Sequence, residues 1–147
     1  PTLQEEYNAY KQDNPLPYKE LIFPDVLKVL NEVKSRGLKI GLASSSVKAD
    51  ILRALKENHL DGFFDVVLSG EEFKESKPNP EIYLTALNQL GVKPNQALII
   101  EDSEKGIAAG VAAGVEVWAI KDNRFGMDQG AAKGLLDNLI DVLDLLE

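Results

Sequence analysis

Short apolar segments alternate with amphipathic segments along most of this 147-residue chain. The apolar segments predict strands over 38–43, 66–68, 97–100 and 115–120. Helical spacing of apolar residues predicts helices over 25–36, 47–58, 82–90 and 103–113, and a last helix from Ala132. Repeated strand and helix units joined by short loops form a parallel sheet with helices on both faces. The sequence therefore predicts an α/β fold of the Rossmann-like, doubly wound kind.

The composition restricts the classes of partner. The 16 basic residues are outnumbered by 24 acidic ones, for a net charge of -8, which would repel a nucleic-acid backbone or an anionic membrane. The absence of cysteine excludes disulfides and thiolate metal sites. The sequence shows no signal peptide and no long apolar run. We therefore predict a cytoplasmic protein with neither nucleic acid nor membrane as a partner.

Two adjacent acidic residues stand where a predicted strand meets a predicted helix. The strand residues of 97–100 are followed directly by Glu101, Asp102 and Ser103. Ligands bind at the carboxyl ends of strands in parallel sheets, and paired carboxylates suit a hard cation such as Mg²⁺. The alternative is that Asp102 or Ser103 only caps the following helix, which both residue types favour.

Two further polar motifs precede this one in the chain. The segment 42–46 closes an earlier strand with three serines, and 76–80 is a loop in which Lys77 stands between Ser76 and a proline. Each serine alone has a simple alternative role as the cap of the next helix. Taken alone, Lys77 would be a solvated surface lysine, but the prolines of its loop stiffen the backbone around it.

The order of these motifs is shared with a known family. A strand-end serine comes first, then a lysine in a Lys-Pro-x-Pro-x-x-Tyr context, then Glu-Asp-Ser-x-x-Gly-Ile after another strand. In this respect the chain resembles the haloacid dehalogenase-like phosphatases and phosphomutases, and among them the β-phosphoglucomutase-like branch. The resemblance runs from about Tyr18 to the C-terminal end.

The resemblance implies a role for each matching residue. Ser44 corresponds to the hydroxyl that hydrogen-bonds the transferring phosphoryl group, and Lys77 corresponds to the lysine that neutralises its charge. These two are the implied catalytic residues, and together with Ser45 they are the implied phosphate-binding residues. Glu101 and Asp102 correspond to the acidic pair of a Mg²⁺ site.

One motif of the family is not found. The nucleophile and the general acid/base of these enzymes lie in an Asp-x-Asp motif at the end of a first, central strand, and no Asp-x-Asp occurs in the 147 residues. We therefore interpret 1–17 as a remnant of the helical cap or linker and 18–147 as an incomplete core that lacks this strand. The resemblance also weakens at Val47-Lys48, where β-phosphoglucomutases have a Lys-Asn pair that grips a second phosphate.

Loss of the central strand would expose the inner edges of the strands that end at Ser44 and Asp102, which is unfavourable. Four alternatives follow. The two strands pair directly, the chain exchanges elements with a second copy through its exposed sheet edges, an N-terminal segment binds in trans, or the chain was cut after folding.

The resemblance implies the C-terminal part of a Mg²⁺-dependent hydrolase or isomerase. Such an enzyme acts on small phosphorylated metabolites, with sugar phosphates foremost, through an aspartyl-phosphate. We expect these residues alone to be inactive because the nucleophile is missing. The alternative is a non-catalytic or regulatory module of the same family that retains a phosphate and Mg²⁺ pocket.

Overall fold

The structure is a computed structural model that describes residues 26–121 and 128–146. Its elements are α1 (Val26–Ser35), β1 (Gly41–Ser44), α2 (Lys48–Glu57), β2 (Val66–Ser69), α3 (Glu81–Leu90), β3 (Leu98–Glu101), α4 (Glu104–Ala112), β4 (Glu116–Ile120) and β5 (Gly134–Leu136). Within these residues, short 3₁₀ helices lie at Gly70–Glu72, Pro94–Gln96 and Leu139–Leu145. The predicted cap remnant over 1–17 lies outside the described residues.

The strands form two parallel groups that share both of their hydrophobic layers. β1 pairs with β2, and β4 lies between β3 and β5. Successive strand residues face opposite sides, so Leu42 and Ile100 pack with α1 and α2, whereas Ala43 and Ile99 pack with α3 and α4. This arrangement confirms the predicted α/β class with parallel strands and helices on both faces.

β1 and β3 share no ladder hydrogen bonds in the described part of the chain. The alternative in which these two strands pair directly is therefore wrong. Instead, the Lys77 side chain connects them, because its ammonium group donates to the Ala43 carbonyl on β1 and to the Glu101 carboxylate on β3. The two sheets are also joined by the hydrophobic layers above and below them.

The predicted C-terminal helix is wrong. Gly134–Leu136 is a strand paired with β4, and a 3₁₀ helix follows it. Leu135 is 50% exposed whereas Leu136 is 6% exposed, which is the alternation of a strand at the sheet edge. Leu139 and Val142 are buried at the three-residue spacing of a 3₁₀ helix. The leucines of this strand and of the following 3₁₀ helix together imitate the spacing of apolar residues in an α-helix.

The other predicted helices are present within one or two residues at the described ends. Val26, Val29, Leu30 and Val33 form the buried face of α1. Gly91 ends α3 with a φ of 72°, a left-handed conformation that favours glycine. No helix in the described residues is both long enough and apolar enough to span a membrane.

Candidate functional site

The three predicted motifs meet at one edge of the strand layer. Ser44 is the last residue of β1, and Glu101 is the last residue of β3. Lys77 reaches the same edge from the loop before α3. Because the Lys77 ammonium group contacts Ala43 near the end of β1 and Glu101 at the end of β3, the carboxyl ends of these two strands lie close together, and ligands bind at such ends in α/β folds.

Lys77 is buried and forms an ion pair. Its ammonium nitrogen lies 3.0 Å from Glu101 Oε2 and 3.2 Å from the Ala43 carbonyl oxygen. The two charged side chains are only 5% and 1% exposed. A buried charge needs both a counter-ion and hydrogen-bond acceptors, and both are provided here. The alternative of a solvated surface lysine is therefore wrong, and Lys77 is fixed at the end of the strands.

Tyr83 completes this buried group. Its hydroxyl donates to Glu101 Oε2 at 2.6 Å, and the Lys77 nitrogen lies 5.0 Å from the centre of its ring. The helical spacing places this tyrosine in the predicted helix over 82–90 and gives it no role in the site. The available signal was its place in Lys-Pro-x-Pro-x-x-Tyr. The tyrosine lies in the first turn of α3, directly after the loop that carries Lys77, so the two side chains can meet. Lys77, Glu101 and Tyr83 are called the buried triad below.

The remaining oxygen of Glu101 is also engaged. Oε1 accepts from the backbone N–H of Asp102 at 3.1 Å and lies 3.5 Å from the Ser103 hydroxyl. Gly106, in the first turn of α4, lies against the same side chain, and a Cβ at this position would overlap the Glu101 carboxyl group. Glu101 is thus held on both oxygens by protein donors, and its side chain has little room to move.

The alternative of a helix cap holds for Ser103 and not for Asp102. Ser103 is the N-cap of α4, and its hydroxyl accepts from the backbone N–H of Gly106 at 3.0 Å. Asp102 is 9% exposed and lies between the strand end and this cap. Its backbone carbonyl accepts from Gln129 Nε2 at 2.9 Å, and the same nitrogen donates to the Ile120 carbonyl at 2.8 Å. No sequence signal pointed to Gln129.

The serines do not cap α2. The N-cap of α2 is Val47, which makes no side-chain capping bond, so the alternative role of the serines as caps is wrong. Ser44 is fully buried, and its hydroxyl accepts from the backbone N–H of Ser46 at 3.1 Å. Ser45 is half-buried beside Gly70, where an added Cβ would lie 3.2 Å from the Ser45 Cα.

Of the two acidic side chains at this edge, one has a carboxylate suited to bind Mg²⁺. Mg²⁺ is commonly bound by one or two carboxylates together with waters and substrate phosphate. Asp102 offers such a carboxylate at the strand end, whereas the oxygens of Glu101 already accept protein hydrogen bonds. Among the described residues, no group of three or more histidine, cysteine, aspartate or glutamate side chains could hold a metal ion.

The sequence matches the family described as haloacid dehalogenase-like hydrolase over residues 1–120. This chain belongs to that family. It is 36% identical over 113 residues to a phosphorylated carbohydrates phosphatase from Thermotoga maritima, covering 74% of this chain and 52% of the relative. It is 30% identical to the pyrophosphatase PpaX from Bacillus cereus, covering 98% of this chain and 69% of the relative. The chain thus spans about half the length of the Thermotoga phosphatase.

Solved structures of the family share the fold. A phosphatase of the family from Thermococcus onnurineus superposes with a TM-score of 0.77 at 27% identity, covering 93% of this chain and 68% of that one. A β-phosphoglucomutase from Clostridium difficile superposes with a TM-score of 0.73 at 28% identity, covering 84% and 53%. These likenesses agree with the β-phosphoglucomutase-like branch of the family.

Proposed function

We propose that this site is the phosphoryl-binding half of a Mg²⁺-dependent phosphatase or phosphomutase. The observation that carries the proposal is the burial of Lys77 at the end of the parallel strands, between β1 and β3. A cation held there without solvent around it interacts strongly with an anionic group, because solvent screens it little. Family membership as a hydrolase supports the same chemistry.

Lys77 and the Ser44 hydroxyl would bind the transferring phosphoryl oxygens, with Ser45 beside them. Asp102 would hold Mg²⁺, which when bound neutralises negative charge on the phosphoryl group. Glu101 was predicted as the second metal ligand. Its contacts favour a different role as the counter-ion that fixes the Lys77 ammonium in place. We therefore propose Asp102 as the direct ligand and Glu101 as a positioning residue.

The proposed substrates are small phosphorylated metabolites. The similar proteins are a phosphatase of phosphorylated carbohydrates and a pyrophosphatase, which supports phosphate esters or anhydrides as the substrate class. Hydrolysis and phosphoryl transfer to a second hydroxyl share the same first step, so the proposal includes both. The cytoplasmic location predicted from the composition remains part of this proposal.

The proposed reaction needs an aspartate nucleophile that these 147 residues do not contain as Asp-x-Asp. An aspartyl-phosphate would form on such a residue, and Lys77 and Ser44 would stabilise the charge on the transferred group. We propose that the nucleophile comes from an N-terminal segment, which would bind in trans at the edges of β1 and β3. Exchange with a second copy of the chain is the alternative.

The direct test is Mg²⁺-dependent phosphate release from a panel of sugar phosphates, pyrophosphate and an aryl phosphate. The chain and its Asp102→Ala variant are compared, each alone and with an added segment that carries Asp-x-Asp. We expect no release without the segment, and release with it that disappears in Asp102→Ala. Release by the chain alone that survives in Asp102→Ala would contradict the proposed site.

The second candidate is a non-catalytic module of the same family that retains the phosphate and Mg²⁺ pocket. Such a module would bind phosphate or Mg²⁺ weakly and would show no turnover even when the segment is bound. Binding of the segment is therefore measured in the same experiment, for example by its effect on the unfolding temperature. Segment binding without phosphate release would select this candidate over the enzyme.

A further inference from the structure

An open depression of about 680 Å³ lies beside the proposed phosphoryl site. Lys74, Lys77 and Lys105 line it, together with Glu75 and Asn79. The charge of Lys77 is balanced by Glu101, so Lys74 and Lys105 stand against Glu75 as the remaining charges of the lining, on a chain whose net charge is -8. Glu75 also accepts a hydrogen bond from Asn79 Nδ2 at 2.6 Å. The depression is therefore basic and continuous with Lys77.

Lys74 and Lys105 are exposed, and neither side chain forms a hydrogen bond or an ion pair with the residues that the structure describes. In this they differ from some of the other described lysines, although Lys28 and Lys56 are likewise exposed without such a bond. Lys34, Lys39, Lys48, Lys77 and Lys133 each donate to a carboxylate or a carbonyl. The two cations of the depression are thus available for an anion.

Lys105 also stands where a positive charge is unfavourable for the fold. It lies in the first turn of α4, which begins at Glu104. The helix dipole places partial positive charge at this end, so a lysine here is unfavourable for stability. A bound anion would remove this repulsion. Stability alone gives no reason for a lysine at this position.

Lys48, the basic residue that follows the serine motif, is already engaged by other groups of the protein. Its ammonium nitrogen lies 2.6 Å from the Val67 carbonyl oxygen and 3.3 Å from Glu72 Oε2. A second anionic group of a substrate would therefore find unengaged cations in the loop before α3 and on α4, at Lys74 and Lys105.

We infer that Lys74 and Lys105 form a subsite for a second anionic group of the substrate. The inference rests on the proposed function, because the first phosphoryl group would lie at Lys77. The substrate class is then phosphate compounds with a second phosphate or carboxylate, such as pyrophosphate, bisphosphates or phosphorylated acids. Phosphate monoesters of uncharged alcohols would leave the subsite without a ligand.

The test compares binding of inorganic pyrophosphate and inorganic phosphate to the whole chain by calorimetry at constant ionic strength. Lys74→Gln and Lys105→Gln are the test variants, and Lys28→Gln and Lys56→Gln are matched controls on exposed lysines of α1 and α2. We expect each test variant to weaken pyrophosphate binding roughly three- to ten-fold, with phosphate binding changed by less than about two-fold. The controls should change neither affinity.

Equal pyrophosphate affinity in test and control variants would overturn the subsite. If phosphate binds through Lys77 but pyrophosphate binds no more tightly, the subsite fails and the proposed function stands. If pyrophosphate binding depends on Lys74 and Lys105 while Lys77→Gln has no effect on phosphate, the proposed phosphoryl site fails instead.

A second readout checks the helix argument, because Lys105→Gln should raise the unfolding temperature by roughly 1–3 °C in anion-free buffer. A lower temperature would contradict it.

Discussion

The ring and the hydroxyl of Tyr83 make different contributions, one to packing and one to the position of Glu101. The ring is buried in the core beside α4, and the hydroxyl holds Glu101. Tyr83→Phe keeps the ring and removes the donor, so we expect a loss of about 1–3 kcal/mol in the free energy of unfolding. Urea unfolding measures it. Phosphate affinity should also fall, because Lys77 loses part of its support, and an unchanged affinity would make the tyrosine purely structural.

The ion pair between Lys77 and Glu101 should show strong coupling. Removing either charge leaves the other buried without its partner, which costs roughly 3–5 kcal/mol. In a cycle of Lys77→Met, Glu101→Gln and the double variant, we therefore expect a coupling energy well above about 1 kcal/mol.

The exposed pair Lys133 and Glu116 is the matched control, since its side chains are 62% and 42% exposed. Pairs of this kind contribute about 0.2–1 kcal/mol. Similar coupling energies in the two cycles, both obtained from urea unfolding, would mean that burial does not strengthen the pair at the site.

At the level of elements, α4 is tied to the site through Gly106. Replacing a helical glycine by alanine usually stabilises a helix by about 0.5–1 kcal/mol. Here the added methyl would overlap the Glu101 side chain, which Lys77 and Tyr83 hold in place. We expect Gly106→Ala to lower the free energy of unfolding by roughly 1–3 kcal/mol. Gly62→Ala is the control, because nothing lies within 4 Å of its added Cβ; equal effects would refute the overlap.

Asp65 accepts hydrogen bonds from the end of α1 and from the residue before β1, and its contribution to the free energy of unfolding should depend on pH. Burial raises the pKa of Asp65, but hydrogen bonds from Lys34 and from the Ile40 N–H outweigh this and lower it below its ordinary value of 3.8. A lowered pKa stabilises the fold above the unfolded-state pKa, and the stabilisation is lost as the pH falls through the folded-state pKa.

Asp65→Asn should therefore cost about 0.5–1 kcal/mol at pH 7, a modest value because the side chain is 38% exposed. The difference from the wild-type chain should shrink as the pH falls below about 3.8. Asp50→Asn, in the exposed pair with Arg53, is the control. A difference that is constant from pH 7 to pH 2 would show that the charge of Asp65 is not involved.

The elements also show where sequence periodicity succeeds. It located α1 to α4 and β1 to β4, because each has a single buried face or a continuous apolar run. It failed at β5 because three consecutive residues are too few to show alternation, and the leucines of the following 3₁₀ helix extended an apparent helical pattern. Gly134 was the overlooked signal, since the Trp118 ring lies against it and leaves no room for a side chain.

Over the whole molecule, the positions of the site residues followed from motif order and from the rule that parallel strands end at one edge. Ser44, Lys77, Glu101 and Asp102 are all buried at that edge. The contacts did not follow from the sequence. The engagement of both Glu101 oxygens depends on the paths of α3 and α4 in three dimensions, which no local pattern of residues encodes. The resemblance implied a gap between β1 and β3, but only the strand pairing decided against their direct contact through a ladder.

The central claim is that this edge of the strand layer binds a phosphoryl group through Lys77. The most direct measurement is the affinity of the chain for inorganic phosphate with Mg²⁺ present, compared between wild type, Lys77→Met, Ser44→Ala and the control Lys28→Met. Because Lys77→Met leaves Glu101 buried without a counter-ion, the Lys77→Met/Glu101→Gln double variant is measured beside it. We predict saturable binding that falls roughly ten-fold or more in the folded Lys77 variants, less in Ser44→Ala, and not at all in Lys28→Met. Equal affinity in the Lys77 variants and the control would contradict the account.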